Sequence, residues 1–177
     1  MRFIRPVTWS LALFVLVAAL SVYPDLPARI PQHIDGNGRA DRFVDKHLGF
    51  WLLPLLIGLG TMIALEAIRA RLPRNPALFN FPGKEQLLRL PVDLQREPVQ
   101  RMQWFMDLTN LLLVGVFAGV QWMLWRGAYG ERSGTMSIAI LVLPAGFLVV
   151  TGIYLTRIQE AVDMATKQLE SRHRPRA

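Results

Sequence analysis

Long apolar stretches alternate with charged segments along the chain. Four stretches, at about 7–23, 48–66, 108–126 and 134–156, are almost free of Lys, Arg, Asp and Glu. Each is close to the roughly 20 residues that a helix needs to cross a bilayer core of about 30 Å. None shows the short alternating pattern of a barrel strand, and in lipid the backbone must satisfy its own hydrogen bonds. The pattern predicts an all-α integral membrane protein with four transmembrane helices.

The first apolar stretch has a second interpretation. Basic residues precede it and small residues lie near its end, as in a cleavable signal peptide. The apolar run is long for such a signal, and Tyr23 at its end is the kind of aromatic residue that anchors a helix at the membrane surface. We therefore expect this stretch to be retained as the first transmembrane helix.

Residues 24–47, called the signature loop below, join the first two predicted helices. The loop begins with a proline-rich run, and each proline restricts the residue before it to an extended conformation. The dipeptides Asp-Gly and Asn-Gly at 35–38 strongly favour turns. Asp41 is placed to cap the start of the second helix. We predict a structured, turn-rich connection between the two helices.

Two further polar segments complete a single predicted membrane domain over residues 1–177. The loop at 67–107 begins with a proline-rich run, and from Glu97 it has the pattern of a helix that lies at the membrane interface and continues into the third span. The fourth span is expected to continue as a helical tail over 157–177. Its last residues, 172–177, are expected to be disordered.

The basic residues predict the orientation of the chain. Lys and Arg number 20 against 13 Asp and Glu, for a net charge of +7, and 14 of these 20 lie before the first span, between the second and third, or after the fourth. Cytoplasmic segments carry such an excess, so both termini and the loop at 67–107 should be cytoplasmic and the signature loop should face outward. The charge then reflects topology and attraction to membrane lipids, and nucleic acid is not an expected partner.

The composition excludes several kinds of chemistry. The chain has no cysteine, which removes disulfide frameworks, thiolate metal sites and a cysteine nucleophile. The predicted spans hold almost no ionisable side chains, and Glu66 and Asp107 at their ends are expected to be interfacial. No histidine lies inside a span, so an axial haem ligand within the bilayer is not available. We expect a protein that is not an enzyme and has no cofactor.

Two groups of residues are candidates for binding. His33, Asp35, Asn37 and Asp41 offer hard metal ligands, although their spacing differs from that of a calcium loop. The same polar groups also suit a self-hydrogen-bonded hairpin or a surface for a partner, and no nucleophile lies nearby. In the third span, Gly115 and Gly119 have the spacing that lets helices approach closely, either within the bundle or with a partner.

The signature loop and the start of the second helix resemble a known family. Residues 26–56 are similar to the domain of unknown function 1648, the N-terminal half of SdpI-type immunity proteins, through a pattern of Leu-Pro, Ile-Pro, His, Gly, Asp and Lys at fixed intervals. The matching positions are Leu26, Pro27, Ile30, Pro31, His33, Gly38, Asp41, Lys46, Leu53 and Pro54. The family usually has Asn where this chain has Asp35. Its longer members have a second membrane half that this chain lacks.

The resemblance implies a multi-pass protein of the bacterial cytoplasmic (inner) membrane. The best-known members protect against a peptide toxin and sequester a transcriptional repressor at the membrane. We therefore expect a non-enzymatic protein that contacts membrane lipids and acts in immunity or signalling by binding a membrane protein or a peptide. One alternative is an accessory subunit of a larger membrane complex, and another is a metal-binding protein that uses His33 and Asp41.

Overall fold

The computed structural model describes the backbone of residues 3–131 and 134–173 and the side chains of 3–131 and 142–172. The elements in these ranges are α1 (Ile4–Val22), β1 (Arg29–Ile34), β2 (Ala40–Asp45), α2 (Leu48–Arg71), a short 3-10 turn (Pro76–Leu78), α3 (Lys84–Arg89), α4 (Val92–Ala128) and α5 (Gly134–His173). Helices therefore account for most of the chain, and one two-stranded sheet accompanies them.

Four helices in the described part of the chain, α1, α2, α4 and α5, are long and apolar enough to cross a membrane. This confirms the predicted fold class, to which the structure adds the small sheet. Pro54 and Pro144 lie inside α2 and α5 without ending them, as transmembrane helices tolerate. At 37 and 40 residues, α4 and α5 are longer than a bilayer core requires.

Three local features differ from the prediction. Asp41 does not cap the second helix, because it lies in β2 and α2 begins only after that strand has ended. The helix expected to begin at Glu97 begins at Val92. The chain is still helical at Arg172, where disorder was expected. The remainder of that predicted disordered tail, residues 174–177, lies outside the described residues.

The chain divides into two compact units. Unit 1 comprises Met1–Ile63 and Thr109–Phe147. Its core is formed by side chains from the end of α1, the loop that follows, the first half of α2 and the end of α4. These side chains are Ala19, Leu26, Ile30, Trp51, Leu55 and Leu124. In α1 itself only Thr8 and Ala19 are buried, which leaves most of this apolar helix on the surface of the unit, as suits a helix in contact with lipid.

Unit 2 comprises Ala64–Leu108 and Leu148–Ala177. Its core includes side chains from the segment between α2 and α3, from α3, from the first turns of α4 and from the second half of α5. Among them are Leu72, Phe81, Leu87, Met102, Ile158 and Val162. The ring of Phe105 contacts those of Phe79 and Tyr154, with centroids 5.9 and 5.8 Å away. The segment at 67–107 is therefore packed, together with α5, into the core of unit 2.

Candidate functional site

The signature loop folds into an antiparallel hairpin in which β1 pairs with β2. Arg29 lies opposite Asp45 and Ile30 opposite Val44, and the register is irregular on both sides of His33. Such irregularities twist a strand and redirect its side chains. A two-stranded sheet has only edge strands, so the prolines of the loop are compatible with pairing. Ile30 is 1% exposed and belongs to the core of unit 1.

The hairpin turn is organised by the side chain of Asp35. Its Oδ1 accepts hydrogen bonds from the backbone N–H groups of Asn37 and Arg39, both at 2.8 Å. Gly38 donates its N–H to the Asp35 carbonyl and has φ of 74°, a conformation that favours glycine. The backbone hydrogen bond from Arg39 is the main reason that the pKa of the Asp35 carboxyl lies below its usual range. The carboxylate of Asp35 is thus engaged in the turn.

His33 and Asp41 face each other across the hairpin. The His33 Nδ1 lies 2.7 Å from the Asp41 Oδ1, and the two side chains are 54% and 44% exposed. Of the four proposed metal ligands, the structure pairs only these two, while Asp35 and Asn37 belong to the turn. The part of the chain that is described contains no group of three or more His, Asp or Glu side chains arranged to hold a metal ion.

Lys46 ties the two ends of the signature loop together. Its Nζ donates to the carbonyl oxygens of Pro24, at 2.8 Å, and Leu26, at 2.9 Å. The ammonium group also lies 5.1 Å from the centre of the Tyr23 ring, within range of a cation–π interaction. Hydrogen bonds from a charged donor are stronger than neutral ones. Lys46 therefore fixes the backbone just after α1 to the end of β2.

The end of α4 supports the hairpin. A Cβ atom added at Gly127 would lie 3.0 Å from the Ile34 side chain, 3.2 Å from Pro31 and 3.3 Å from Ala40. The absence of a side chain at Gly127 is what lets the helix approach both strands so closely. Just beyond it, the Tyr129 hydroxyl donates to the Asp25 carbonyl at 2.9 Å. No local sequence pattern predicts these contacts, since each joins segments far apart in the chain.

Beneath the hairpin, Trp51 connects three helices. Its Nε1 donates to the Ala19 carbonyl at 2.8 Å, and its own carbonyl accepts a hydrogen bond from the Gln121 Nε2 at 3.2 Å. Trp51 is 1% exposed. The Gln121 Oε1 is buried and has no hydrogen-bond partner in the described structure. Trp51 is thus a central contact of unit 1.

A close helix contact in unit 1 lies at Gly58, which the sequence did not single out. A Cβ added at Gly58 would lie 2.5 Å from the Phe117 ring, so α2 and α4 approach each other there. A Cβ added at Gly115 would meet no atom within 4 Å. Gly119 is buried. Gly115 therefore lies in open space, and Gly58 provides the tight contact with α4.

Unit 2 contains a buried ion pair between Arg69 and Asp107. The Arg69 Nε lies 2.5 Å from the Asp107 Oδ1, and its Nη2 donates to Oδ2 at 3.1 Å. Glu66 lies 3.7 Å from the same guanidinium group, and Asp107 is only 4% exposed. Glu66 and Asp107 were predicted as interfacial residues at the ends of two spans. The contact between Asp107 and Arg69 was not predicted, because 38 residues separate the two.

The four long apolar helices and the hairpin between the first two define a membrane protein of unknown function. Residues 10–58 match the family model described as "Domain of unknown function (DUF1648)". The match runs from α1 through the signature loop to the first half of α2, and includes the positions on which the resemblance rested. No curated protein and no solved structure matches the chain.

Proposed function

We propose that this chain is a non-enzymatic SdpI-like protein of the bacterial cytoplasmic membrane, whose signature loop binds a protein or peptide partner. The observation that carries this proposal is that hydrogen bonds and packing hold the signature loop in place. Lys46 and Tyr129 both donate to backbone carbonyls of residues 24–26, and Gly127 packs under the strands. A surface fixed in this way loses little conformational freedom when a partner binds.

The hairpin exposes side chains suited to recognition. Phe43 is 36% exposed, and Arg42 and His33 are exposed on the neighbouring positions of the two paired strands. Aromatic and arginine side chains contribute a large share of binding energy at protein interfaces. The His33–Asp41 pair then helps to position this surface.

The position of the loop outside the cell can be tested with single cysteines, because the chain has none of its own. Phe43→Cys places a thiol on the hairpin, and Glu85→Cys places one on α3; both positions are exposed. A membrane-impermeant maleimide should label the first variant on intact cells and the second only after permeabilisation. The reverse pattern would contradict the proposed orientation.

Partner binding can be tested with the same Phe43→Cys variant. A thiol-directed photocrosslinker attached in native membranes should give a defined adduct, whose partner is identified by mass spectrometry. Glu131→Cys, on an exposed residue after α4, is the matched control. Adding Arg42→Ala should lower the yield of the adduct, while Gln86→Ala in α3 should not. Equal adducts from both cysteine positions would count against a specific surface on the hairpin.

The resemblance to SdpI-type proteins adds a narrower proposal, that the bound partner is a membrane-active peptide against which the protein gives immunity. Deleting the gene should then sensitise cells to such a peptide, and the wild-type chain should restore resistance. A restored strain carrying His33→Ala together with Arg42→Ala should remain sensitive. Identical killing curves for the deleted and intact strains would refute immunity without affecting the test of partner binding.

A second candidate function is that of an accessory subunit in a membrane complex. The open space around Gly115 favours it, because the small-residue surface of α4 is not filled at that point by the described side chains. In mildly solubilised membranes the protein should then migrate on native gels as part of a larger species, and Gly115→Leu should release it. Migration as a monomer or dimer alone would exclude this function.

A further inference from the structure

The two strands of the hairpin differ in how far the rest of the protein covers them. In β1, Ile30 and Pro31 are buried. In β2, Arg42, Phe43 and Asp45 are exposed. The sheet has only these two strands, so each has one edge without a neighbouring strand. An unpaired edge presents N–H and C=O groups to which another chain can pair, and the edge of β2 is the more accessible of the two.

The hydrogen bonds of the hairpin show which backbone groups of β2 point away from β1. The Lys46 N–H donates to the Ala28 carbonyl at 2.8 Å. Hydrogen-bonded and non-hydrogen-bonded pairs alternate along an antiparallel ladder. Counting from Lys46 along the observed register, Asp45 and Phe43 occupy non-hydrogen-bonded positions. Their N–H and C=O groups therefore point outward, and we call these four groups the β2 edge.

Two further contacts agree with this assignment. Pro31, which lies opposite Phe43, has no N–H and cannot donate to it. The Phe43 carbonyl instead accepts a hydrogen bond from the Arg29 Nη2 at 3.1 Å. A third strand would place one of its own N–H groups at the same oxygen. The Arg29 side chain thus stands where a partner strand would donate, and because it is exposed it can give way to that strand.

The side chains along the β2 edge indicate the kind of strand that fits it. Phe43 and Asp45 are two residues apart, so their side chains lie on the same face of the sheet. Phe43 is 36% exposed. The exposed Asp45 carboxylate contacts no cation among the residues that the structure describes. Opposite charges and apolar side chains stabilise cross-strand pairs, so a cationic residue suits the position opposite Asp45 and an apolar residue the position opposite Phe43.

We infer that an extended peptide segment, whose cationic and apolar side chains lie two residues apart, adds to the β2 edge as a third, antiparallel strand. In this mode main-chain hydrogen bonds provide affinity, and the side chains opposite Phe43 and Asp45 provide specificity. The inference rests on the proposed partner binding and names its mode. The two can fail separately, because photocrosslinking from Phe43→Cys does not depend on backbone pairing.

The test uses the full chain in phosphatidylcholine nanodiscs and a synthetic probe peptide, Thr-Lys-Thr-Val-Thr-Lys-Thr. Exchange of the backbone amides is followed by NMR. At a probe concentration of about ten times its Kd, the Phe43 and Asp45 amides should exchange about tenfold more slowly. The Asn37 and Arg39 amides, which already donate to the Asp35 carboxylate, should not change.

Two methylated forms of the probe separate backbone pairing from binding by side chains alone. One form is N-methylated at the valine and at the lysine before it, and the other at the two threonines between the lysines. In an antiparallel pair the first form loses the N–H groups that reach the Phe43 and Asp45 carbonyls, and the second keeps them. The first should bind roughly fivefold or more weakly than the second, as the loss of two hydrogen bonds predicts.

A further probe with glutamates in place of the lysines tests the charge. It should bind about two- to fivefold more weakly than the lysine probe, and Asp45→Asn should reduce this difference. Asp163→Asn, which removes the same charge from an exposed position in α5, should leave the difference unchanged. A glutamate probe that binds the wild type as tightly as the lysine probe overturns the assignment of a cationic segment.

Equal binding of the two methylated forms overturns strand addition and leaves the proposed partner surface on the hairpin standing. No binding of the lysine probe at millimolar concentration also overturns the inference. So does slow exchange of the Phe43 and Asp45 amides before any probe is added, because two copies of the chain would then already pair through the β2 edge. These measurements use the wild type and need no variant to fold.

Discussion

Trp51 and Ala19 are joined by a buried hydrogen bond, 2.8 Å from the indole nitrogen to the carbonyl oxygen. Ala19 lies among the last four residues of α1, whose carbonyls have no partner within the helix. A side chain of α2 thus supplies a hydrogen-bond donor to a carbonyl in the last turn of α1. It also fixes the point at which the chain leaves that helix and enters the signature loop.

Trp51→Phe should therefore lower the free energy of unfolding by about 1–3 kcal/mol, because the donor is lost and the Ala19 carbonyl stays buried. The change can be measured by unfolding the purified protein in mixed detergent micelles. Trp122→Phe is the matched control, since Trp122 is 43% exposed and should cost less than about 0.5 kcal/mol. Equal losses in the two variants would show that the buried hydrogen bond is not the cause.

Gly58→Ala should destabilise unit 1 by about 1–3 kcal/mol, because the new methyl group would overlap the Phe117 ring. Gly60 lies two residues further along the same helix, and a Cβ there meets nothing within 4 Å. Gly60→Ala should be neutral or stabilise the helix by up to about 1 kcal/mol. Thermal unfolding in detergent compares the two variants.

Adding Phe117→Leu to Gly58→Ala should restore part of the loss, because the smaller side chain leaves room for the methyl group. If both alanine variants unfold at the same temperature as the wild type, α2 and α4 do not approach each other as closely as the structure shows.

Lys46→Met should loosen the signature loop, because the two hydrogen bonds to Pro24 and Leu26 are lost while the length of the side chain is kept. We expect a loss of about 1–3 kcal/mol in local stability. Hydrogen exchange of the backbone amides in 26–46 measures it directly. Arg42→Met, at an exposed position in the same hairpin, should leave the exchange unchanged. If the amides exchange equally fast in the two variants, the hydrogen bonds of Lys46 do not stabilise the loop.

The turn of the hairpin should lose stability in acid. The folded pKa of Asp35 lies below its ordinary value of 3.8, mainly through the Arg39 amide. The stabilisation is therefore fully present above pH 3.8 and is lost as the pH falls below it, through the folded pKa. NMR measurement of the Asn37 and Arg39 amides during acidification should show this opening.

Asp35→Asn provides the matched control for that titration. The amide keeps an acceptor for the two backbone N–H groups but cannot titrate, so the turn should persist and its acid-dependent opening should disappear. If the turn of this variant still opens in acid with the same midpoint, a group other than Asp35 causes the opening.

Asp107→Leu should destabilise unit 2 by about 3–5 kcal/mol, because it leaves the Arg69 guanidinium without its buried carboxylate. Arg69→Leu should have a similar effect, since it leaves the buried Asp107 carboxylate without the guanidinium group. In the double variant the loss should be smaller than the sum of the two by at least about 1 kcal/mol. Additive losses in such a double-mutant cycle would show that the pair is not coupled.

The four transmembrane helices could be predicted from the sequence because the bilayer imposes one requirement on each of them, about 20 apolar residues without charge. No comparable pattern in the sequence marks the hairpin. Its strands are short, and they pack against Gly127, which lies far along the chain. The predicted helix cap at Asp41 was wrong for the same reason. Asp41 lies in β2, and α4 packs against that hairpin.

Side-chain pairing was the other part that the sequence did not reveal. The turn residues at 35–38 were identified because their chemistry is local. Arg69 and Asp107, or Trp51 and Ala19, are matched only by the packing of helices against each other. For the same reason the sequence did not show which of the candidate ligands pair with each other, and the structure directs Asp35 into the turn.

The contacts of Lys46 have a consequence for where this fold can form. Small exposed loops are often closed by a disulfide, which needs an oxidising compartment. In this chain, which has no cysteine, one ammonium group joins residues 22 positions apart. Unlike a disulfide, it places no restraint on the unfolded chain. The loop therefore closes only as the protein folds, and it can do so whether its surroundings are oxidising or reducing.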